Sequence, residues 1–159
     1  MNSKMNQMTA HGDDEIEYVT VTVGEQLFGL PIARVHDVFL PARVTRVPLA
    51  RPEIAGVLNL RGRIITMFDL RSRLDLPTLK NNAERMAVGV EFRGESYGLL
   101  VDAVGEVMRL SRSSCDPNPT HLDPSWASIA TCIHPLEGRL MVVLDIDRLL
   151  EPPTHALAA

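Results

Sequence analysis

The chain has 159 residues, 45% hydrophobic and 23% charged, with a net charge of −4 and a pI near 5.7, which is ordinary globular composition. The acidic balance argues against nucleic acid as the partner. No apolar run approaches the ~18 residues a membrane helix needs, so a soluble, cytoplasmic protein without direct membrane insertion is expected.

The first fifteen residues (MNSKMNQMTAHGDDE) are polar and lack a signal-peptide core. They and residues 152–159 read as flexible tails. Val19-Thr20-Val21-Thr22-Val23 alternates strictly, the period-2 pattern of a half-buried strand. Gly24-Glu25 signals a hairpin turn, and Gly29 falls inside the strand that follows, where glycine marks a bulge or a close backbone approach. Arg63 to Phe68 is a further strand, ending at Asp69 before Leu-Arg-Ser-Arg-Leu, the pattern of an Asp cap on a short helix. Residues 77–85 (PTLKNNAER) read as a linker.

Beyond that linker the chain repeats itself. Val19 to Val38 aligns without a gap on Val88 to Val107, placing Phe28-Gly29-Leu30 on Tyr97-Gly98-Leu99 and Val35 and Val38 on Val104 and Val107. Gly24-Glu25 recurs as Gly94-Glu95. Leu60-Arg61-Gly62-Arg63-Ile64-Ile65 then matches Leu136-Glu137-Gly138-Arg139-Leu140-Met141, and Asp69-Leu70 matches Asp145-Ile146. Short strands, tight turns, prolines between them and a duplication predict an all-β protein of two small β-barrels, with a short helix after each. The expected first barrel is residues 16–76 and the second 86–151, within one domain of 16–151. A unit of about 60 residues buries only ~60% of its surface, so the two halves should share an apolar seam. Their charges differ: residues 18–76 carry eight Arg against five acids, residues 86–151 five Arg against ten.

Few residues suggest chemistry. Asp69 and Asp145 resemble an acid/base pair, yet each sits at the same strand-to-helix junction, which favours capping. Cys132 and His134 lie on one face of a strand like two metal ligands. Zinc needs three or four, and no CxxC or His-x-x-x-His supplies the rest, so no metal site is expected. Cys115 and Cys132 do not make a disulfide framework, and reduced thiols are expected. His11, His36, His121 and His155 are scattered, and Trp126 reads as a core or seam residue. No phosphate cradle, nucleophile elbow or basic–aromatic stretch is present. Neither an enzyme nor a cofactor is indicated.

Gly56-Val57-Leu58-Asn59-Leu60-Arg61-Gly62, the duplicated Phe28-Gly29 and Tyr97-Gly98 strands, Val35-His36-Asp37-Val38 and the closing Leu140 to Leu150 segment together resemble the CheW family, the coupling proteins of bacterial chemosensory arrays. The resemblance covers residues 16–151. It implies two five-stranded SH3-like barrels related by a pseudo-twofold, no catalysis, and a place at the chemoreceptor array. The implied role is an adaptor between methyl-accepting receptor tips and the regulatory domain of the CheA histidine kinase, with further CheW copies in rings. A fragment of that kinase, whose regulatory domain is itself CheW-like, is disfavoured by a natural-looking start and the lack of an ATP-binding or phosphorylatable-His domain. An adaptor of a twitching or second-messenger pathway is the alternative; a small-barrel nucleic-acid binder is a weaker one. Carried over by the resemblance, receptor- or kinase-binding positions are Val35, Asp37 (where the family often has Glu), Val38, Gly56, Arg61, Gly98 and Val104. Gly98 and Val104 are expected to border a groove between the barrels. Arg61 stands out because its counterpart is Glu137: the flanking Leu, Gly and Arg are shared, so the turn itself should not require the arginine.

Overall fold

The alternation read from the sequence is realised as strands throughout. The computed structural model describes residues 14–77, 85–117 and 122–152. The first copy of the repeat forms β1 (Glu15–Val23), β2 (Gln26–Pro31), β3 (Val35–Phe39), β4 (Ile54–Leu60), β5 (Arg63–Asp69) and the one-turn helix α1 (Leu70–Arg73). The second forms β6 (Met86–Phe92), β7 (Glu95–Val101), β8 (Ala103–Ser111), a short helix α2 (Pro124–Ala127), β9 (Ala130–Leu136), β10 (Arg139–Leu144) and α3 (Ile146–Leu150). No helix is long and apolar enough to cross a membrane among these residues.

The strands make two five-stranded sheets, but not one per copy. The orders are β8-β1-β2-β10-β9 and β3-β6-β7-β5-β4, so each sheet joins the first hairpin of one copy to the last three strands of the other. This corrects the expected barrels 16–76 and 86–151. One unit comprises residues 15–31 with 103–144, the other 35–69 with 86–101. The joints are parallel: β2 pairs β10 through Phe28 and Val142, and β7 pairs β5 through Gly98 and Met67. A duplicated sequence hides such an exchange, because equivalent hairpins present the same faces to either set of partners. The turn Ile32–Arg34 diverts β3 out of the sheet holding β1 and β2, and Asp102 alone separates β7 from β8.

The expected seam is the principal core. Val19, Val21, Val23, Phe28 and Leu30 from one unit pack in one cluster with Phe68, Val88, Val90, Leu99 and Val101 from the other, and α1 and α3 add Leu70, Leu149 and Leu150. Trp126 packs against this cluster, as expected, and its indole N–H donates to the Leu74 carbonyl at 3.1 Å. The opposite strand faces fill two smaller interiors, Tyr18, Leu27, Met141 and Val143 in one unit and Leu58, Ile65, Met67 and Ala87 in the other. Gly29 and Gly98 make room for methionines there: a Cβ would stand 2.9 Å from the Met141 sulfur at Gly29 and 2.8 Å from the Met67 sulfur at Gly98, so either methionine would have to shift. Each sheet closes through a two-bond bridge, Thr45 with Val57 (2.8 Å both ways) and Asp116 with Ile133 (2.8 and 2.9 Å).

Asp69 and Asp145 act as the caps expected, accepting from the backbone N–H of Arg71 at 3.0 Å and Arg148 at 3.2 Å. Asp69 also accepts from the buried Arg85 guanidinium at 2.7 Å. The expectation of reduced thiols is overturned: Cys115 and Cys132 form a disulfide with Cα atoms 5.6 Å apart, inside the usual span for such a bond. Count and compartment argue for thiols, whereas the bridge between Asp116 and Ile133 brings the segment carrying Cys115 against β9, which carries Cys132.

One ionic cluster ties the units together where the chain crosses between them. Asp102 accepts from Arg71 Nε at 2.9 Å and Nη2 at 2.7 Å, and from the Gly24 N–H of the other sheet at 2.8 Å. Burial pushes the Asp102 carboxyl up, but the hydrogen bonds from Arg71 and Gly24 outweigh it and hold the group below the usual carboxylate value. A depressed folded-state pKa gives stability that is complete above the unfolded value and is lost as pH falls through the folded one. Asp102→Asn should therefore lower unfolding stability by about 1–3 kcal/mol at pH 7, with a gap to wild type that narrows below about pH 4. Urea melts at pH 7, 4 and 3 check this; a gap independent of pH would contradict it.

Candidate functional site

β3 is an edge strand with a bulge. Val35 pairs Val90, Asp37 pairs Gly89 and Val38 pairs Val88, leaving His36 as the extra residue. Bulges blunt an edge and re-aim its side chains. Here the bulge lays the Asp37 carboxylate over Gly89, where a Cβ would collide with its Oδ1. Val38 remains 41% exposed.

Arg61 sits in the hairpin turn between β4 and β5. Both turn residues have positive φ, 54° at Arg61 and 83° at Gly62, as a type I′ turn requires. The Asn59 side chain accepts from the Gly62 N–H at 3.0 Å and braces the turn, and Leu60 packs on the interior behind it. The Asn-Leu-Arg-Gly block is thus mostly scaffold, with Arg61 as the residue that serves no internal contact. Its guanidinium has no hydrogen bond or ion pair among the described residues. In the other copy Gly138 has φ 81° while Glu137 does not share the left-handed conformation. The two turns therefore differ in backbone although their flanking Leu, Gly and Arg are shared. An arginine in the left-handed region costs roughly 1–2 kcal/mol, and its side chain makes no hydrogen bond or ion pair among the described residues to offset it.

Asp37 and Arg61 meet at one place. Together with His36, Leu60, Glu91 and Tyr97 they line a shallow cavity of about 150 Å³ beside the Leu60 and Ile65 edge of that unit's interior. They are not ion-paired there, so a brace between Asp37 and Arg61 is not formed. The cavity holds exposed groups of both signs beside an aromatic edge, which suits hydrogen bonding and charge pairing to a protein surface better than catalysis.

The remaining positions separate. Val35 and Val104, equivalent in the two copies, both pack against the edge of the seam core. Gly56 is buried at a β-bulge with φ 151°, where a Cβ would collide with the Thr45 carbonyl. Gly98 does not border a groove: it is buried inside its unit between Met67 and Phe39. These two glycines shape the backbone and offer no side chain or exposed surface to a partner.

One surface was not legible in the sequence. Beyond Val38 the connection to β4 exposes Leu40, Val44, Val47 and Leu49, interleaved with Arg43, Arg46 and Arg51, and Leu49 is held at φ 63° with its side chain fully out. The run Leu40 to Arg51 has neither a period of 2 nor of 3.6, so only its apolar content beside Pro41 and Pro48 could have marked it. Contiguous exposed apolar surface of this kind marks interaction sites. The exchange of hairpins leaves the charge asymmetry in place. Residues 35–102, which hold one sheet, carry ten Lys and Arg against eight acids, and residues 15–34 with 103–151 carry five against ten.

Comparison with known proteins agrees with this geometry. Residues 17–153 match the model of the CheW-like domain. The chain is similar to the chemotaxis protein CheW of Thermotoga maritima, 28% identical over 140 residues that cover 88% of this chain and 91% of the relative. It is also similar to protein PilI of Pseudomonas aeruginosa, 29% identical over 112 residues that cover 70% of this chain and 61% of the relative. In structure it resembles the scaffolding protein TtCheW from Thermoanaerobacter tengcongensis, with a TM-score of 0.77 and 29% identity over 86% of this chain and 88% of that one. A match running from β1 past α3, with both sheets superposable on a CheW scaffold, places the chain in the CheW family.

Proposed function

We propose that this chain is a non-enzymatic adaptor that joins the cytoplasmic tips of methyl-accepting receptors to the regulatory domain of a CheA-type histidine kinase in a bacterial chemosensory array. The observation that carries the reading is the family match over residues 17–153, whose relatives are chemotaxis and scaffolding proteins. The site supports it: Arg61 presents a five-donor fork at a cost in backbone energy, beside Asp37 and the exposed Val38. The carboxylates that resemble a catalytic pair, Asp69 and Asp145, are occupied as helix caps, which fits an adaptor better than an enzyme. The similarity to PilI favours a second reading, in which the same adaptor chemistry serves a pathway with a non-flagellar output.

Three measurements test the proposal. The first is a pull-down asking whether the protein bridges a receptor tip and a kinase regulatory domain, run with variants of Arg61. Arg61→Gly should raise thermal stability, because glycine accepts the left-handed turn without penalty, and yet lose bridging. Arg61→Lys should restore only part of it, since Lys keeps the charge and loses the planar fork. An Arg61→Gly protein that is less stable than wild type and still bridges fully would make Arg61 a structural brace.

The second separates surface from seam. Val38→Asp should leave stability within about 0.5 kcal/mol, as exposed substitutions do, while weakening receptor binding. Val104→Asp should destabilise more, because it sets a charge against the seam core. Equal melting temperatures for the two variants would contradict the placement of Val104.

The third concerns charge. Head-to-tail contact between the basic unit of one molecule and the acidic unit of a homologous neighbour, the kinase domain or another copy, suits ring assembly. Association should weaken as salt rises past 0.1 M, where charges are screened beyond about 10 Å. Affinity that stays flat to high salt would leave apolar contact as the only driver.

A further inference from the structure

The bridge that closes the acidic unit carries a cluster of groups that the adaptor role does not use. Cys115 precedes Asp116, and Cys132 precedes Ile133. Two residues further along the same face of β9 lies His134, 1% exposed. The ligand atoms of Cys115, Cys132 and His134 all lie within 4.8 Å of one another. The sequence showed only two of these, on one strand; the closing bridge delivers the third.

The imidazole is held in place from both sides. Its Nδ1 lies 3.1 Å from Ser114 Oγ, on the turn that carries Cys115, and its Nε2 lies 3.3 Å from the buried Tyr18 hydroxyl. Metal-bound histidines characteristically give their second ring N–H to such a partner, which fixes the tautomer and ring angle. With Nε2–H donating to Tyr18, Nδ1 accepts from the Ser114 hydroxyl, and this exposed hydroxyl must turn away for Nδ1 to bind a metal. Zinc held by sulfur at about 2.3 Å and nitrogen at about 2.0–2.1 Å needs its ligands roughly 3.5–3.8 Å apart. The three ligand atoms, all within 4.8 Å of one another, are separated by distances of that order.

We propose that Cys115, Cys132 and His134 form a binding site for one zinc ion when the thiols are reduced. The disulfide accepts two electrons and two protons from a small dithiol, which leaves as its own disulfide. Zinc then replaces the two thiol protons, which go to solvent, and binds two thiolates and the neutral imidazole. Its fourth position faces the exposed Ser114 side and takes a water. The bridge between Asp116 and Ile133 is thereby clamped in both redox states, by a sulfur–sulfur bond when oxidised and by a metal when reduced. The equivalent position in the other unit, Val44 beside Gly56, has no such clamp.

The test uses the full chain, reduced with a phosphine, titrated with zinc chloride against a chromogenic chelator and separately with cobalt chloride. One zinc per chain is expected, and cobalt should give thiolate-to-metal charge-transfer bands of the intensity of two sulfurs. Tyr18→Phe should weaken zinc binding by about 10–100-fold, the range for a group that orients a ligand. Cys115→Ser and His134→Gln should weaken it further than that. Circular dichroism confirms folding, and the half-buried Cys115 provides a readable variant even where a change at His134 disturbs the core. A folded, reduced wild type that takes up no zinc would overturn the proposal. So would uptake that is unchanged in Cys115→Ser, which would place the ion elsewhere.

Discussion

The structure depends on two parallel joints, β2 against β10 and β5 against β7. Each supplies the interior of a sheet by pairing strands from different copies of the repeat, so neither copy holds a complete sheet by itself. The seam core is built from the outer faces of these joined strands. It cannot assemble until Val19, Val21 and Phe28 of the first copy meet Val142 and Leu144 of the second, and Val88 and Leu99 meet Phe68. A 60-residue unit is marginal alone; here the exchange removes the option of folding alone. The consequence for function is geometric. Val35 and Val104 keep a fixed relation because both pack against the one shared core, and nothing is left to the bend of a linker.

Much of this was legible from residue pattern. The period-2 alternation of β1, the turn glycines, the caps at Asp69 and Asp145 and the shared seam follow from local chemistry that the fold does not override. The exchange of hairpins was not legible, for a physical reason. Two equivalent hairpins offer the same alternation to the same partners, and only the direction of the connectors Ile32–Arg34 and Asp102 separates the two topologies. The pairing of Cys115 with Cys132 was hidden similarly, because it is made by a bridge between loop and strand that has no sequence period. At the candidate site, Arg61 was visible as a charge reversal between copies. Its left-handed backbone was not, since Arg-Gly and Glu-Gly both read simply as turns. The groove position of Gly98 rests on the family resemblance alone, and no residue pattern around it tells which way it faces; the sulfur of Met67 lies over it, inside the unit.

Arg61 and Asp37 illustrate how an edge can be made specific. An exposed edge strand is a liability unless it is bent, charged or covered. The bulge at His36 bends β3 and leaves the exposed Asp37 carboxylate over Gly89, while the turn at Arg61 projects a cation toward the same cavity. The two charges share a cavity without neutralising each other. An internal pair would have been worth only ~0–1 kcal/mol at the surface, whereas unpaired groups are free to satisfy a partner. The apolar run from Val38 to Leu49 lies on the same segment of chain, so recognition by contact and recognition by charge are carried by adjoining residues.

Duplication also supplies an internal control, because residues the scaffold needs recur in both copies and residues added for other ends do not. Gly29 and Gly98 recur, each under a methionine sulfur; Asp69 and Asp145 recur, each as a cap. Gly56 and Cys132 occupy equivalent places beside the closing bridges, and they differ. In one unit Gly56 lets the Thr45 carbonyl approach so closely that no side chain fits, and a Cβ there would also stand 2.8 Å from Val44. In the other, the same two places hold Cys132 and Cys115, and the gap is spanned by sulfur. Backbone contact suffices to close the first barrel, so closure as such does not demand cysteines in the second. Their presence, next to a histidine already oriented by Tyr18, belongs with the differences between copies and not with the fold they share.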